Sequence, residues 1–479
     1  MTVPSSPLVT DLYQLTMIQG YWLAGIHRRE ACFDYFFRHQ PFGSGYTVFA
    51  GLEDTLRFLE GLRFAGPELD YLRSLDLFRP ELIEHLRALR FTGQVHAVPE
   101  GSLIFPIEPV LRVQGPLEEC QLVESALLNT LNFQSLIATK AARVCQEAGG
   151  DNVMEFGLRR AQGVDGALSA ARAAYIGGCA ATSNVQAGQT YGIPVSGTHA
   201  HSWVLAFPSE LEAFRQFARA YPTKCILLVD TYDTLRSGVP NAIRVGLEMK
   251  ARGERLAGIR LDSGDLAYLS AEARRMLDEA GLTDTLICCS SDLDEFIIRD
   301  LNAQGARIDL YGVGTNLVTA RGEPALPGVY KIAALRGEGD EWQMKLKWSE
   351  GLKKSTLPGI KQVWRLRGPE GSMLADWIEM DGITPDVEQG LWGFHPSDDH
   401  AKTLYAGIDR AEPLLVPVLR DGTVCADLPP LGRIRDRVRG ELEGLHPTMR
   451  RLLNPHVYKV SLGPELKAIT TRMLDQTGR

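Results

Sequence analysis

No C-x-x-C pair occurs in the chain, although it holds eight cysteines among 479 residues. Cys32, Cys120, Cys145, Cys179, Cys225, Cys288, Cys289 and Cys425 are scattered, several of them inside apolar runs. That pattern excludes a zinc knuckle or a disulfide framework, and buried reduced thiols are expected. Basic charge is not in excess: 51 Lys and Arg stand against 59 Asp and Glu, 51 − 59 = −8. A dedicated nucleic-acid binder needs a basic face to neutralise phosphates, so that class is set aside. Small anions remain open to a local arginine cluster. No apolar run approaches the ~18 residues that would cross a bilayer. The opening MTVPSSPLVTDLYQL has no basic or apolar leader region. A cytoplasmic protein with no membrane partner is the expectation.

What is present is ordinary globular material, 44% apolar and 23% charged. At roughly 150 residues per domain, the length allows several domains. Residues 1–135 read as an α+β domain of open-faced sandwich type. CFDYFF (32–37) is an aromatic-rich strand, FAGLEDTLRFLEGL (49–62) has helical spacing, and 94–115 holds short strands broken by Pro and Gly. A long helix is expected from Leu117 to Cys145, with Glu118 and Glu119 in its first turn. From 136 to 340 short apolar runs alternate with helical stretches. NVMEFG, IPVSGT, CILLVDT, GIRLDSG, TLICCSS, RIDLYGVG and GVYKIAAL are the candidate strands. Strand–helix alternation with apolar strands predicts an α/β fold with a parallel sheet, here an irregular β/α barrel. Residues 341–479 form a small C-terminal region of β pieces and loops, part of it expected to pack back on the N-terminal domain. A helix is expected after Gly463-Pro464.

The polar residues cluster at strand ends: Glu155, Thr198, Asp230, Asp262, Ser290, Ser291 and Gly312 to Thr315. In β/α barrels the carboxyl ends of the strands carry the chemistry. Asp294 and Glu295 instead read as the cap and first turn of a helix. In EFGLRRAQGVDGA (155–167) an aromatic ring lies beside paired arginines, which suits a flat anionic ring. GIPVSGTHAHSWV (192–204) brings His199 and His201 after a Gly-Thr turn, and the two need not share a site. LLVDTYDT (227–234) and IRLDSGDL (259–266) each end a strand with two acids. Acids around a phosphate ligand imply Mg²⁺. IDLYGVGTNLVT (308–319) runs into a glycine turn and a helix start, the pattern of an anion cradle.

These stretches resemble the nicotinate phosphoribosyltransferase family of the type II phosphoribosyltransferase group. TDLYQLTM (10–17), FDYFFR (33–38), EFGLRRAQGVDGALSAARAAYIGG (155–178), ATSNVQAGQTYGIPVSGTHAHSW (181–203), VDTYDTL (229–235), IRLDSGDLAYLS (259–270), IDLYGVGT (308–315), GVYKI (328–332) and KKSTLPGIKQVWR (353–365) follow in the family's order. The resemblance implies transfer of a phosphoribosyl group from 5-phosphoribosyl 1-diphosphate to nicotinate, giving nicotinate mononucleotide and diphosphate. That is the first step of NAD synthesis from nicotinate. It further implies ATP as co-substrate, Mg²⁺, and a homodimer with shared active sites. By the same resemblance His201 is the histidine transiently phosphorylated by ATP, and Asp230 holds its imidazole. Phe156 stacks one face of the pyridine ring and Tyr13, from the neighbouring subunit, the other. Ser183, Thr198 and Arg260 contact nicotinate. Arg38, Arg159, Asp262, Gly312, Gly314 and Thr315 contact the phosphoribosyl diphosphate, with Asp262 also near Mg²⁺. The chain departs from the family pattern at Leu326-Pro327-Gly328, where a more glycine-rich turn is usual.

Three rivals are weighed against this. A nicotinamide enzyme on the same fold would place an acid where Ser183 stands. A Mg²⁺-dependent barrel lyase or aldolase would need a Schiff-base lysine, and Lys331 is the candidate. A silent binding protein would not need His201, Asp230 and Asp262 together.

Overall fold

The computed structural model describes residues 6–150, 152–337, 341–347, 356–398 and 400–476. Lys353, Lys354 and Ser355 of the KKSTLPGIKQVWR string, and residues 477–479, lie outside the described residues. The chain divides into two compact units: 1–136 with 325–479, and 137–324.

The first unit is built mainly on antiparallel strands. Its seven-stranded sheet runs in the order Trp342–Met344, Gly328–Arg336, Glu30–Phe37, Leu111–Pro116, Gln94–Ala97, Val416–Arg420, Thr423–Val424. Glu30–Phe37 is central and almost wholly buried, as its run of aromatic and small residues requires. A second, six-stranded sheet is assembled from 361–462 alone. The run GVYKIAAL therefore does not belong to the strand–helix alternation. It forms Gly328–Arg336 and pairs antiparallel with Glu30–Phe37, matching Tyr35 to Tyr330. An apolar run carries no sign of which partner it will take.

Buried charges hold this unit's second sheet. Arg365 makes a two-point contact with Asp376 (3.0 and 2.7 Å) and also donates to Glu441. Tyr458 donates to Asp376 at 3.0 Å. Such a cluster is costly to desolvate and stands only because each member is paired. Burial and the neighbouring Asp376 push Glu108 well above the ordinary carboxyl range. The expected helix 117–145 is broken once. Leu117–Leu122 and Glu124–Glu147 are separate segments, parted at Val123.

The second unit carries six parallel strands, each followed by a helix. Their spatial order is Ala181–Thr182, Val153–Glu155, Leu310–Val313, Leu286–Cys289, Gly258–Leu261, Ile226–Leu228. Val153, Leu227, Ile259, Ile287 and Val313 are fully buried. The strands are apolar because helices cover them. IPVSGT does not form a strand; it contributes a single bridge, Val195 to Thr182. Strand pairing therefore does not close into a full ring among the described residues. Four residues beyond Val195, His199 reaches the opposite edge of the sheet. There Leu228's backbone N–H donates to His199 Nε2 at 3.1 Å. An imidazole thus takes the donor that a neighbouring strand's carbonyl would otherwise take.

Several acids in this unit are structural. Asp294 caps Glu295–Ala303, accepting from the N–H groups of Phe296 and Ile297. Glu295, fully buried, pairs with Lys140 (2.7 Å) and Arg143 (3.0 Å). No helix among the described residues is long and apolar enough to cross a membrane.

Candidate active site

The strand ends of the second unit deliver a connected set of side chains. Asp230 follows Ile226–Leu228, and its side chain is 1% exposed. Its carboxylate accepts from three sides: Oδ1 lies 3.2 Å from His201 Nε2, and Oδ2 receives the Asp262 N–H (3.0 Å) and the Ser263 hydroxyl (2.6 Å). His201 opens the short helix His201–Leu205, and its side chain is 43% exposed. With Nε2 engaged by the buried carboxylate, Nδ1 is left with the lone pair.

The two histidines separate, although residues two apart in an extended segment would share a face, because the chain turns into a helix at His201. His199 is buried, its ring packs edge-on against Phe217 at 4.7 Å, and burial pulls its pKa down to about 4. It is a structural neutral imidazole. The second acid of each strand-end pair is also structural. Asp233 accepts from the Arg236 N–H and Asp265 from the Tyr268 N–H, both at helix starts. Only the first acid of each pair faces the cluster. Gly264, at φ +82, makes the turn that lets Asp262 and Asp265 take these different tasks.

Arg260 lies on the neighbouring strand Gly258–Leu261. Its guanidinium donates to Ser290 Oγ (2.8 Å), Thr198 Oγ1 (3.0 Å) and Asp262 Oδ1 (2.9 Å). Three of its five N–H groups are used, and two remain. Ser290 also donates to Asp262. Asp262 thus has one oxygen engaged, and the other has no partner among the described residues. The Phe156 ring lies 5.8 Å from the Arg260 guanidinium, close enough for cation–π attraction.

Phe156 is held from below. Its N–H donates to Val313 O at 2.8 Å. Glu155 is 1% exposed, accepts from the Thr182 hydroxyl (2.5 Å) and from the Gly157 N–H, and is raised in pKa by burial. Ser183's N–H donates to Glu155 O at 2.9 Å, which sets Ser183 beside the same strand end. Gly312 has a packing reason of its own: a Cβ there would lie 2.7 Å from the Phe156 ring. A Cβ on Gly314 would meet the Phe156 carbonyl at 2.8 Å. Thr315 opens a helix of only four residues.

Residue by residue, the structure brings His201, Asp230, Asp262, Arg260, Thr198 and Phe156 into one set, with Ser183 and Gly312 adjoining it. Arg159 lies in the exposed turn Leu158–Arg160 of the same unit. Tyr13, on helix Leu12–Leu23, and Arg38, just after Glu30–Phe37, belong to the first unit. Lys331 pairs with Glu124 (3.4 Å) and donates to Tyr330 O (2.7 Å), in the first unit and away from this cluster in sequence and sheet. Sequence reasoning missed Ser263 as a ligand of Asp230 and Glu155 as the buttress of Phe156. Ser263 directly follows Asp262, and a hydroxyl at a strand end is the only signal it offered.

A strand-end cluster of hydroxyls, acids and one arginine beside an aromatic ring is the kind of site with which α/β enzymes hold small anionic ring compounds. Comparison with known proteins narrows this. Residues 8–132 match the nicotinate phosphoribosyltransferase N-terminal domain, 152–336 the nicotinate phosphoribosyltransferase family, and 360–470 its C-terminal domain. A nicotinate phosphoribosyltransferase of Bacillus subtilis is 46% identical over 464 residues, covering 96% of this chain and 94% of that one. The one from Homo sapiens is 37% identical over 525 residues, covering 98% and 96%. The crystal structure of human nicotinic acid phosphoribosyltransferase superposes with a TM-score of 0.86 at 36% identity, covering 97% of this chain and 99% of that one. The chain belongs to the nicotinate phosphoribosyltransferase family.

Proposed function

We propose that the chain joins nicotinate to 5-phosphoribosyl 1-diphosphate, releasing diphosphate and nicotinate mononucleotide, with ATP hydrolysis coupled through His201. The family membership supports the reaction, and relatives as far apart as Bacillus subtilis and human carry that name. The single observation that carries the site assignment is the unbroken hydrogen-bonded path His201–Asp230–Asp262–Arg260–Thr198, with Phe156 beneath Arg260.

Nicotinate is flat and carries a carboxylate. Phe156 offers it a face, Arg260 offers two spare N–H groups for the carboxylate, and Ser183 offers a hydroxyl that can donate. An acid at 183 would repel the same carboxylate. The pyridine nitrogen then attacks C1 of the ribose as the C1–O bond to diphosphate breaks. Positioning supplies most of the rate. Arg38 and Arg159 hold the departing diphosphate, and Gly312, Gly314 and Thr315 line the 5-phosphate end, on the strength of the family resemblance. Mg²⁺ would neutralise the diphosphate charge. Asp262 fits it, because its free oxygen can face a cation, whereas both Asp230 oxygens are already taken.

The same geometry supports ATP coupling. His201 Nδ1 attacks the γ-phosphorus, a P–N bond forms, and the P–O bond to ADP breaks. The Nε2 proton stays on the Asp230 side, where the carboxylate balances the ring's charge. Tyr13 is half exposed, which suits a ring presented to the site of a second copy in a homodimer.

The test is product formation from each base with the same donor, combined with ³²P transfer from γ-labelled ATP. Nicotinate preference and an acid-labile label on His201 are expected. Preference for nicotinamide, or label that survives His201→Ala, overturns the proposal.

A further inference from the structure

A second cluster stands in the first unit, apart from any residue assigned above. One ring nitrogen of His27, one of His85 and one carboxylate oxygen of Glu118 lie within 4.8 Å of one another. The three come from separate elements. His27 lies in the loop between Leu12–Leu23 and Glu30–Phe37, His85 on helix Pro80–Ala88, and Glu118 in the first turn of Leu117–Leu122. His85 Nε2 is 2.8 Å from Glu118 Oε2, and the two imidazoles meet edge to face at 5.3 Å. The Glu118 N–H donates to His27 O at 3.1 Å, so loop and helix start are already tied together. His27 Nδ1 is buried and has no hydrogen-bond partner. Buried polar atoms are rarely left so, and in the tautomer with the proton on Nε2 this nitrogen carries a lone pair that a cation would use. Trp22 packs 6.4 Å from the His85 ring and screens one side.

We infer that His27, His85 and Glu118 form a site for one divalent transition-metal ion of the zinc type. Two imidazoles and one carboxylate are a borderline donor set, suited to Zn²⁺ and its neighbours rather than to Mg²⁺ or Ca²⁺, which take oxygen. Ligand atoms at 2.0–2.2 Å from zinc are ~3.4 Å apart in a tetrahedron. For an ion to enter, the His85–Glu118 pair at 2.8 Å must open and the wider spacings, up to 4.8 Å, must close, both through side-chain torsions. A fourth position stays open to water. The ion would tie the loop before the central strand to two helices of the same unit, and its role is structural. It is independent of the transferase chemistry proposed above.

The experiment uses the full chain, stripped with a chelator and carrying Cys425→Ser to remove the exposed thiol. Zn²⁺ is titrated in competition with a chromophoric chelator. One equivalent per chain is expected, with a rise in unfolding temperature that excess chelator reverses. His27→Gln, His85→Gln and Glu118→Gln should each weaken binding at least ~10-fold. Co²⁺ in the unaltered site should show tetrahedral visible bands, a readout that needs no variant to fold. Absence of those bands, absence of stoichiometric binding, or binding unmoved by all three substitutions overturns the inference and leaves a plain His85–Glu118 hydrogen bond.

Discussion

Asp230→Asn isolates the coupling step. The carboxylate serves three donors, two of which meet at Oδ2. Asparagine has one oxygen. It will keep that oxygen toward the Asp262 N–H and the Ser263 hydroxyl, since the amide nitrogen there would face a fixed backbone donor. The NH₂ then turns to His201. To accept from it, His201 must shift its proton to Nδ1, the very atom whose lone pair attacks phosphorus. Loss of the charged acceptor alone is worth ~1.5–3 kcal/mol, or about 10- to 150-fold. The wrong tautomer raises the expected loss to ~10²–10⁴ in phosphorylation rate. Because two of three hydrogen bonds survive, the fold should persist, checked by circular dichroism and thermal unfolding. The assay is single-turnover transfer of ³²P from γ-labelled ATP. Slow synthesis of nicotinate mononucleotide without ATP should remain within a few-fold of the original. Labelling at the original rate would refute the role of Asp230 in fixing the imidazole.

Ser183→Asp should weaken nicotinate by roughly 1–3 kcal/mol through lost donation and repulsion, read as a rise in KM for nicotinate with nicotinamide less affected. Gly312→Ala would put a methyl 2.7 Å from the Phe156 ring, so the platform must shift; KM for nicotinate should rise while unfolding temperature changes little, and an unchanged KM would show that the ring is not the platform. The buried His199 and the half-buried His96 both have their pKa lowered to about 4, chiefly by desolvation. The unfolded chain therefore binds more protons between about pH 4 and 6.5, so stability falls as pH drops through that window. His199→Gln should remove roughly half of that slope in urea unfolding measured at pH 7 and pH 5.

Much of the site was legible because strand ends announce themselves. Glu155, Asp230, Asp262 and Ser290 each follow an apolar run, and the run's length says where the chain leaves the sheet. Asp294 was readable as a cap for a similar reason, since capping is a local event. Asp233 and Asp265 show the limit: they look like Asp230 and Asp262 in sequence, yet their carboxylates turn back to helix N–H groups. Ser263 was not legible as a contributor, because its hydroxyl acts on Asp230, which comes from a different strand.

Local spacing by itself determined the strand–helix alternation, the apolar parallel strands, the family strings and which acids stand at strand ends. These depend on contacts a few residues apart. Tertiary structure alone decided that 328–336 joins the antiparallel sheet, that His199 serves Leu228 while His201 serves Asp230, and that Gly312 is small for the sake of Phe156. Each of those outcomes depends on which distant backbone arrives alongside. A linear pattern records a residue's preference for burial or turning, but not the neighbour it will meet.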